Sequence, residues 1–316
     1  MSRSGARPSR GDEFARTEVN DAAMLCMTTL RTTPSSPALG AVIEGLDLAA
    51  TQPDTVWDDL RALVREHLLL VFPRQHLSDA QHLAVAAHFG PIAPEGLVEK
   101  HDIGFVSNVR TDGVLGIEAA SWHIDYGFFP EPYNFLSLYG VEIPLVGSET
   151  FFVNAILGAS TLASDLRDRV RGLAARQVLD PAAPGGSASV RVRIGRLDHA
   201  VAHMERPVLW PHRDTGREIL GVWEQQTDAL LPLPEPESTL LIEELYAHLY
   251  QPAHTYVHRW SEGDLVMWDN HAVQHARAAL DAGVARTLRR VCIGATQDLS
   301  LFASGIATTM SNGATA

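Results

Sequence analysis

The residues best suited to chemistry lie in Ser121-Trp122-His123-Ile124-Asp125-Tyr126-Gly127-Phe128, where an imidazole and a carboxylate stand two residues apart among aromatic and strand-forming side chains. In an extended backbone, positions i and i+2 face the same way, so His123 and Asp125 can grip one metal ion together. A second histidine would complete a two-histidine, one-carboxylate facial triad, which holds ferrous iron on one side and leaves the other free for substrate and oxygen. The candidate is His275, in Trp268-Asp269-Asn270-His271-Ala272-Val273-Gln274-His275, and His271 carries a similar claim. Spacing does not choose between them. A rival triplet, His212-Arg213-Asp214, sits in a stretch with Pro211, Thr215 and Gly216 that reads as a turn. Spacing leaves the two triplets nearly level, and the aromatic strand context favours His123 and Asp125.

Beyond these histidines come Arg286 and Arg290. Along a strand, Arg286, Leu288, Arg290 and Cys292 share one face, and Thr287, Arg289, Val291 and Ile293 the other. The two same-face guanidiniums would stand about 13 Å apart at roughly 3.3 Å per residue. One interior arginine could hold a cosubstrate while the next meets a substrate anion. The same pattern describes an edge strand with its arginines in water.

The elements that must position these groups fit within 316 residues, of which 46% are hydrophobic, enough for a packed core in one domain without repeats. With 38 acidic against 25 basic side chains the formal charge is −13, so a phosphate backbone would repel the protein and nucleic acid is not an expected partner. No apolar run approaches the roughly 20 residues that cross a bilayer, and the N-terminus lacks a secretory core. Cys26 and Cys292 cannot build a disulfide framework. The expectation is a cytoplasmic protein with reduced thiols, without a membrane partner, and able to associate as a homo-oligomer.

Residues 1–27 are polar and without hydrophobic period, a disordered leader, and Met24 and Met27 offer later starts. The domain is expected over 28–300, with a flexible tail over 301–316. Residues 39–48 read as a strand closed by a turn, residues 57–64 as part of an amphipathic helix, and residues 68–72 as a buried strand. Ser78 and Gln81 form a capping box that opens a helix carrying Leu83 and Phe89, with Gly90 as its stop. Residues 92–121 are less regular, a lid or substrate loop. Strands return over 133–143 and 150–153, helices are expected over 161–173 and 240–249, and strands resume over 265–268 and 286–295. Residues 180–187 are rich in proline and glycine and break the pattern. The class is mainly β with flanking helices.

In this order and spacing the chain resembles the taurine dioxygenase family of iron(II)- and 2-oxoglutarate-dependent oxygenases, from about Gly40 to Ala295. The likeness rests on the stretch from Gly40 to Leu48, Phe89-Gly90-Pro91, Trp122-His123-Ile124-Asp125, Gly147-Ser148-Glu149-Thr150, His212 to Arg217, Gly263 to Asn270 with His275, and Arg286 to Arg290. It implies a double-stranded β-helix, the cupin-like jelly roll, with helices against one sheet. It implies His123, Asp125 and His275 as iron ligands, Thr150 and Arg286 as partners of the distal carboxylate of 2-oxoglutarate, and Arg290 as a substrate-anion contact. His212 and His271 fall at non-ligand positions.

The implied activity is oxidation, with O2, of a small anionic metabolite, releasing succinate and CO2. Asp125 favours hydroxylation, because related halogenases replace this carboxylate with a small residue. Two departures argue against taurine itself: Pro94-Glu95-Gly96 replaces a histidine-bearing stretch that helps bind sulfonate, and Gly221 stands where taurine-cleaving members carry a pocket aromatic, so a roomier pocket is expected there. The run from Asp125 to Pro132, with Tyr126 at the substrate, is also similar to the isonitrile-forming branch. Isonitrile formation or carbon–heteroatom cleavage are thus alternatives within the superfamily. Outside it stand a metal-dependent cupin that does not use 2-oxoglutarate and a non-catalytic jelly-roll binding module.

Overall fold

The computed structural model describes residues 30–95, 100–178, 203–281, 283–295 and 309–310. Its strands, numbered along the chain, form a large sheet of eight and a smaller sheet of four that share one core. The large sheet runs β1 (Arg31–Pro34), β2 (Ala41–Glu44), β3 (Leu69–Phe72), β15 (Leu265–Asp269), β7 (Phe135–Glu142), β17 (Thr287–Ile293), β4 (Gly104–Ser107) and β5 (Gly113–Leu115). The small sheet runs β14 (Thr255–His258), β8 (Thr150–Asn154), β16 (Val273–Arg277) and β6 (Ala120–His123). Leu136, Leu138, Val266, Trp268 and Leu288 of the large sheet belong to the same buried cluster as Phe152 and Val273 of the small one. This is the double-stranded β-helix, a jelly roll, in which strands distant in sequence bring their inner faces to one cavity.

The outer face of the large sheet is covered by α1 (Asp54–His67) and α2 (Asp79–Ala87). In α1, Val56, Trp57, Leu60 and Val64 form the buried stripe that helical spacing dictates. The capping box of α2 is present: Ser78 Oγ accepts from the Gln81 backbone N–H and Gln81 Oε1 accepts from that of Ser78. The helix ends at Ala87, before Gly90, whose φ is +152°. A third layer packs α3 (Ala155–Ser160), α4 (Ser164–Val170) and α5 (Glu237–Leu249) with a sheet of β13 (Thr227–Leu231), β9 (Ala174–Val178), β10 (His203–Pro207) and β18 (Thr309–Met310). The ribbon of β11 (Leu209–Pro211) and β12 (Glu218–Leu220) brackets the turn expected around His212.

Two expectations are corrected. Residues 92–121 hold β4 and β5 and lead into β6, because the edge of the large sheet pairs its free backbone groups with them. The helix expected over 161–173 is shorter: α3 stops at Ser160, Thr161 Oγ1 donates back to Leu157 O, and α4 begins only at Ser164. Of the expected tail only Thr309–Met310 lies among the described residues, where it pairs in parallel with His203–Met204. The expected leader at 1–27 and the break at 180–187 lie outside the described residues.

Candidate active site

His123 and His275 face each other across β6 and β16 as directly paired residues, with ring centroids 4.1 Å apart. The register slips just beyond, between His275 and Arg277. Asp125 arrives differently from the expected strand alternation. Strand β6 ends at His123, and the carboxylate is presented by a turn in which Tyr126 adopts a φ of +60°. Asn270 fixes that turn: its Oδ1 accepts from Asp125 N at 2.9 Å, and its Nδ2 donates to Asp125 O at 2.9 Å and Tyr133 O at 3.0 Å. The result places Asp125 Oδ1 at 3.3 Å from His123 Nε2 and 3.8 Å from His275 Nε2.

These three groups can hold a divalent metal. His123 Nδ1 lies 2.7 Å from Ser121 O, and since a carbonyl only accepts, the proton sits on Nδ1 and the Nε2 lone pair is free to ligate. Burial pushes His275 down to about 3, with His123 adding to it and Asp125 opposing, so its ring is neutral as ligation requires. Burial raises Asp125, but its contacts with His123 and then Arg290 outweigh it and hold the carboxylate ionised.

Next to the triad the cavity is lined by Thr150, Trp268, Arg277, Arg286 and Arg290. Arg286, just before β17, donates from Nη2 to Thr150 Oγ1 at 3.1 Å and Ser148 O at 3.3 Å. Thr150 Oγ1 also accepts from Trp260 Nε1 at 2.9 Å, so two donors use its lone pairs and its own proton is left for an acceptor. Arg286 Nε, Arg277 Nε and Trp268 Nε1 are buried without an acceptor. Burial, reinforced by Arg277, pushes Arg286 down to about 9. Unpaired donors and an uncompensated guanidinium around one cavity fit an oxygen-rich anion, and the carboxylates of 2-oxoglutarate satisfy that demand.

The other sequence candidates are placed as follows. Arg290 projects from the Arg286 face of β17, as alternation requires, but its guanidinium is engaged. Its Nε and Nη2 donate to Glu95 Oε2 at 2.9 Å and Oε1 at 2.6 Å, and its Nη1 lies 3.3 Å from Asp125 Oδ2. Tyr126 is half-buried against Phe128, Phe129 and Tyr133, and burial followed by the Glu95 charge pushes its phenol up to about 12. Gly221 does not line the cavity described above. A Cβ there would meet Trp210 Nε1 at 2.8 Å, so the glycine makes room for an indole rather than for the roomier pocket expected.

The rival triplet is explained as structure. His212, Asp214 and Asp269 also lie within ligating distance of one another. His212 Nδ1 accepts from Thr215 Oγ1 and two backbone N–H groups while Nε2 donates to Asp269 Oδ2 at 3.0 Å, which leaves the ring no lone pair to offer. His271 lies outside the triad and packs on Trp210.

Sequence reasoning missed Arg277, Asn270 and the pairing of Glu95. The i, i+2 relation of His275 to Arg277 on a strand was an available signal for the first, whereas Glu95 and Arg290 are 195 positions apart with nothing local to join them.

A jelly roll with a two-histidine, one-carboxylate cluster opening on a cavity lined by arginines defines a non-haem iron oxygenase scaffold. Residues 31–292 match the family described as taurine catabolism dioxygenase TauD, TfdA family. The chain belongs to that family and is an Fe(II)- and 2-oxoglutarate-dependent dioxygenase. It is 31% identical over 264 residues to an (S)-phenoxypropionate/alpha-ketoglutarate-dioxygenase of Sphingobium herbicidovorans, covering 78% of this chain and 89% of that one. It is 29% identical over 282 residues to an alpha-ketoglutarate-dependent 2,4-dichlorophenoxyacetate dioxygenase of Cupriavidus pinatubonensis, covering 81% and 95%. A taurine dioxygenase structure from Burkholderia xenovorans superposes with a TM-score of 0.70 at 25% identity, covering 84% of this chain and 90% of that one.

Proposed function

We propose that His123, Asp125 and His275 hold the iron, that Thr150 and Arg286 bind the distal carboxylate of 2-oxoglutarate, and that the enzyme hydroxylates an unactivated carbon of a small anionic metabolite. The observation that carries this reading is the adjacency of the triad to a cavity ringed by unpaired buried donors. When bound, iron and 2-oxoglutarate would supply the oxidant from O2, with one oxygen atom going to the substrate as hydroxyl and the other to succinate, with loss of CO2.

The protein supplies position and exclusion of water. Asn270 and the Ser121 carbonyl set the orientation of Asp125 and His123 before any ligand arrives. Arg286 fixes one end of the cosubstrate by a charge-assisted fork that lysine lacks. Phe152 and Trp268 pack against His275 and keep its ring dry. We assign Tyr126, next in sequence to Asp125, to the substrate contact.

The names of the two relatives place aryloxyalkanoates at the head of a substrate panel. The test is succinate formation by anaerobically iron-loaded protein given 2-oxoglutarate and oxygen, across small anionic metabolites with a no-substrate control. Stimulation by one compound supports the reading, and the product mass separates hydroxylation from cleavage. No succinate with iron demonstrably bound would overturn it in favour of a cupin chemistry without 2-oxoglutarate.

A further inference from the structure

Arg290 sits on the inner face of the large sheet beside the triad, and its environment is fully built. Glu95 grips it with both oxygens, at 2.9 and 2.6 Å, and Asp125 Oδ2 lies at 3.3 Å from the remaining nitrogen. Glu95 is itself 8% exposed and its backbone is tied to His101 in both directions, at 2.9 and 2.7 Å. Opposite Arg290 in the register stands Gly104, where a Cβ would lie 2.9 Å from Glu95 Oε2. The missing side chain at Gly104 is thus what lets the carboxylate reach the guanidinium. Glu95 and Gly104 cooperate with the distant Arg290 in one buried, bidentate pair.

We propose that Glu95 is a specificity-determining residue: it occupies Arg290 as an internal counter-anion, so the group that a substrate presents to this locus is uncharged, and a lone carboxylate, sulfonate or sulfate is selected against there. A charge count supports it. Arg290 carries one positive charge and already meets two carboxylates, Glu95 and Asp125, so a substrate anion seated on it would be a third negative charge at one guanidinium in a dry site. This inference rests on the oxygenase reading and narrows it. A substrate that bears an anion must have that anion met by groups other than Arg290.

The test uses anaerobic enzyme loaded with Fe(II) and 2-oxoglutarate, so that Arg286 is already occupied, and acetate as the probe. Acetate affinity is read from thermal stabilisation for the wild type, Glu95→Gln, Gly104→Ala and the double variant Glu95→Gln/Arg290→Leu. The expected result is acetate binding at least ten-fold tighter in Glu95→Gln than in the wild type, lost again in the double variant. Gly104→Ala should shift the same way, since it keeps every charge and only pushes the Glu95 carboxylate away; it also serves if Glu95→Gln folds poorly. As a second arm, binding of phenoxyacetate against phenoxyacetamide should favour the acid at least ten-fold more in Glu95→Gln than in the wild type. Wild-type acetate binding as tight as that of Glu95→Gln, or tight binding that survives in the double variant, would overturn the proposal. Because these readouts are binding, they are separate from succinate formation, whose absence would count against the oxygenase reading alone.

Discussion

Arg286→Ala tests the cosubstrate seat directly. The guanidinium is 1% exposed, donates from Nη2 to one hydroxyl and one carbonyl, and leaves Nε without an acceptor. Without ligand, truncation removes two hydrogen bonds but also a buried charge with no anion of its own, so stability should change by only about 1–2 kcal/mol. Cosubstrate binding should change far more, because a buried anion that loses its charged partner costs about 2–5 kcal/mol. At about 1.4 kcal/mol per factor of ten, that is roughly 30- to 4000-fold in Kd. At a concentration one hundred times the wild-type Kd, 2-oxoglutarate should stabilise the wild type by about 2.7 kcal/mol, and a variant weakened about thirty-fold by only about 0.9 kcal/mol. Denaturant unfolding of the anaerobic iron-loaded proteins with and without 2-oxoglutarate reads both numbers. Arg286→Lys should fall between them, since it keeps the charge and loses the fork. A Kd in Arg286→Ala within about three-fold of wild type would refute the assignment, given the cost of an unpaired buried charge.

Two further predictions concern groups outside the cavity. Asn270→Ala removes the three hydrogen bonds that hold the Asp125 turn, so iron affinity should fall about 10- to 100-fold. An anaerobic iron titration checks it, and unchanged affinity would mean the turn holds its shape unaided. Burial, reinforced by Arg289, pushes His82 down to about 3 from 6.5, and its Nδ1 accepts from Arg289 while Nε2 meets Ser137. The folded state therefore binds this proton more weakly than the unfolded chain, and the stability it confers is present above about pH 6.5 and lost as pH falls toward 3. By pH 5 the loss from this group is about 2 kcal/mol. Urea unfolding at pH 7.5 and pH 5 should show His82→Gln declining less than wild type by about that amount; equal slopes would show that His82 is not the acid-sensitive group.

Much of this arrangement was legible because it is local. Ser78 and Gln81 satisfy each other's backbone within one turn, so a capping box is visible in four letters. The alternation along β17 separates Leu288 and Cys292, which face the inter-sheet core, from Val291 and Ile293, which face the helices, and it places Arg289 against Leu77, Asp79 and His82 on the helix side. Other features were not local. The apolar positions of residues 161–173 fit one helix, but Thr161 closes the preceding α3 through its hydroxyl and the helix that follows runs only over Ser164–Val170. Gly221 read as open space, and Trp210 fills it from the neighbouring strand of the ribbon.

The sequence by itself determined the candidate metal-ligating residue types, the segment that carries both arginines and the family, because residue identity and short periods survive without any knowledge of partners. Only the tertiary structure decided that Asp125 reaches the site from a turn, that Asn270 holds it there, and that Arg290 is already paired with Glu95. The physical reason is that electrostatic pairing depends on distance in space, and a sheet that joins β4, β7 and β17 brings together residues that no sequence window contains.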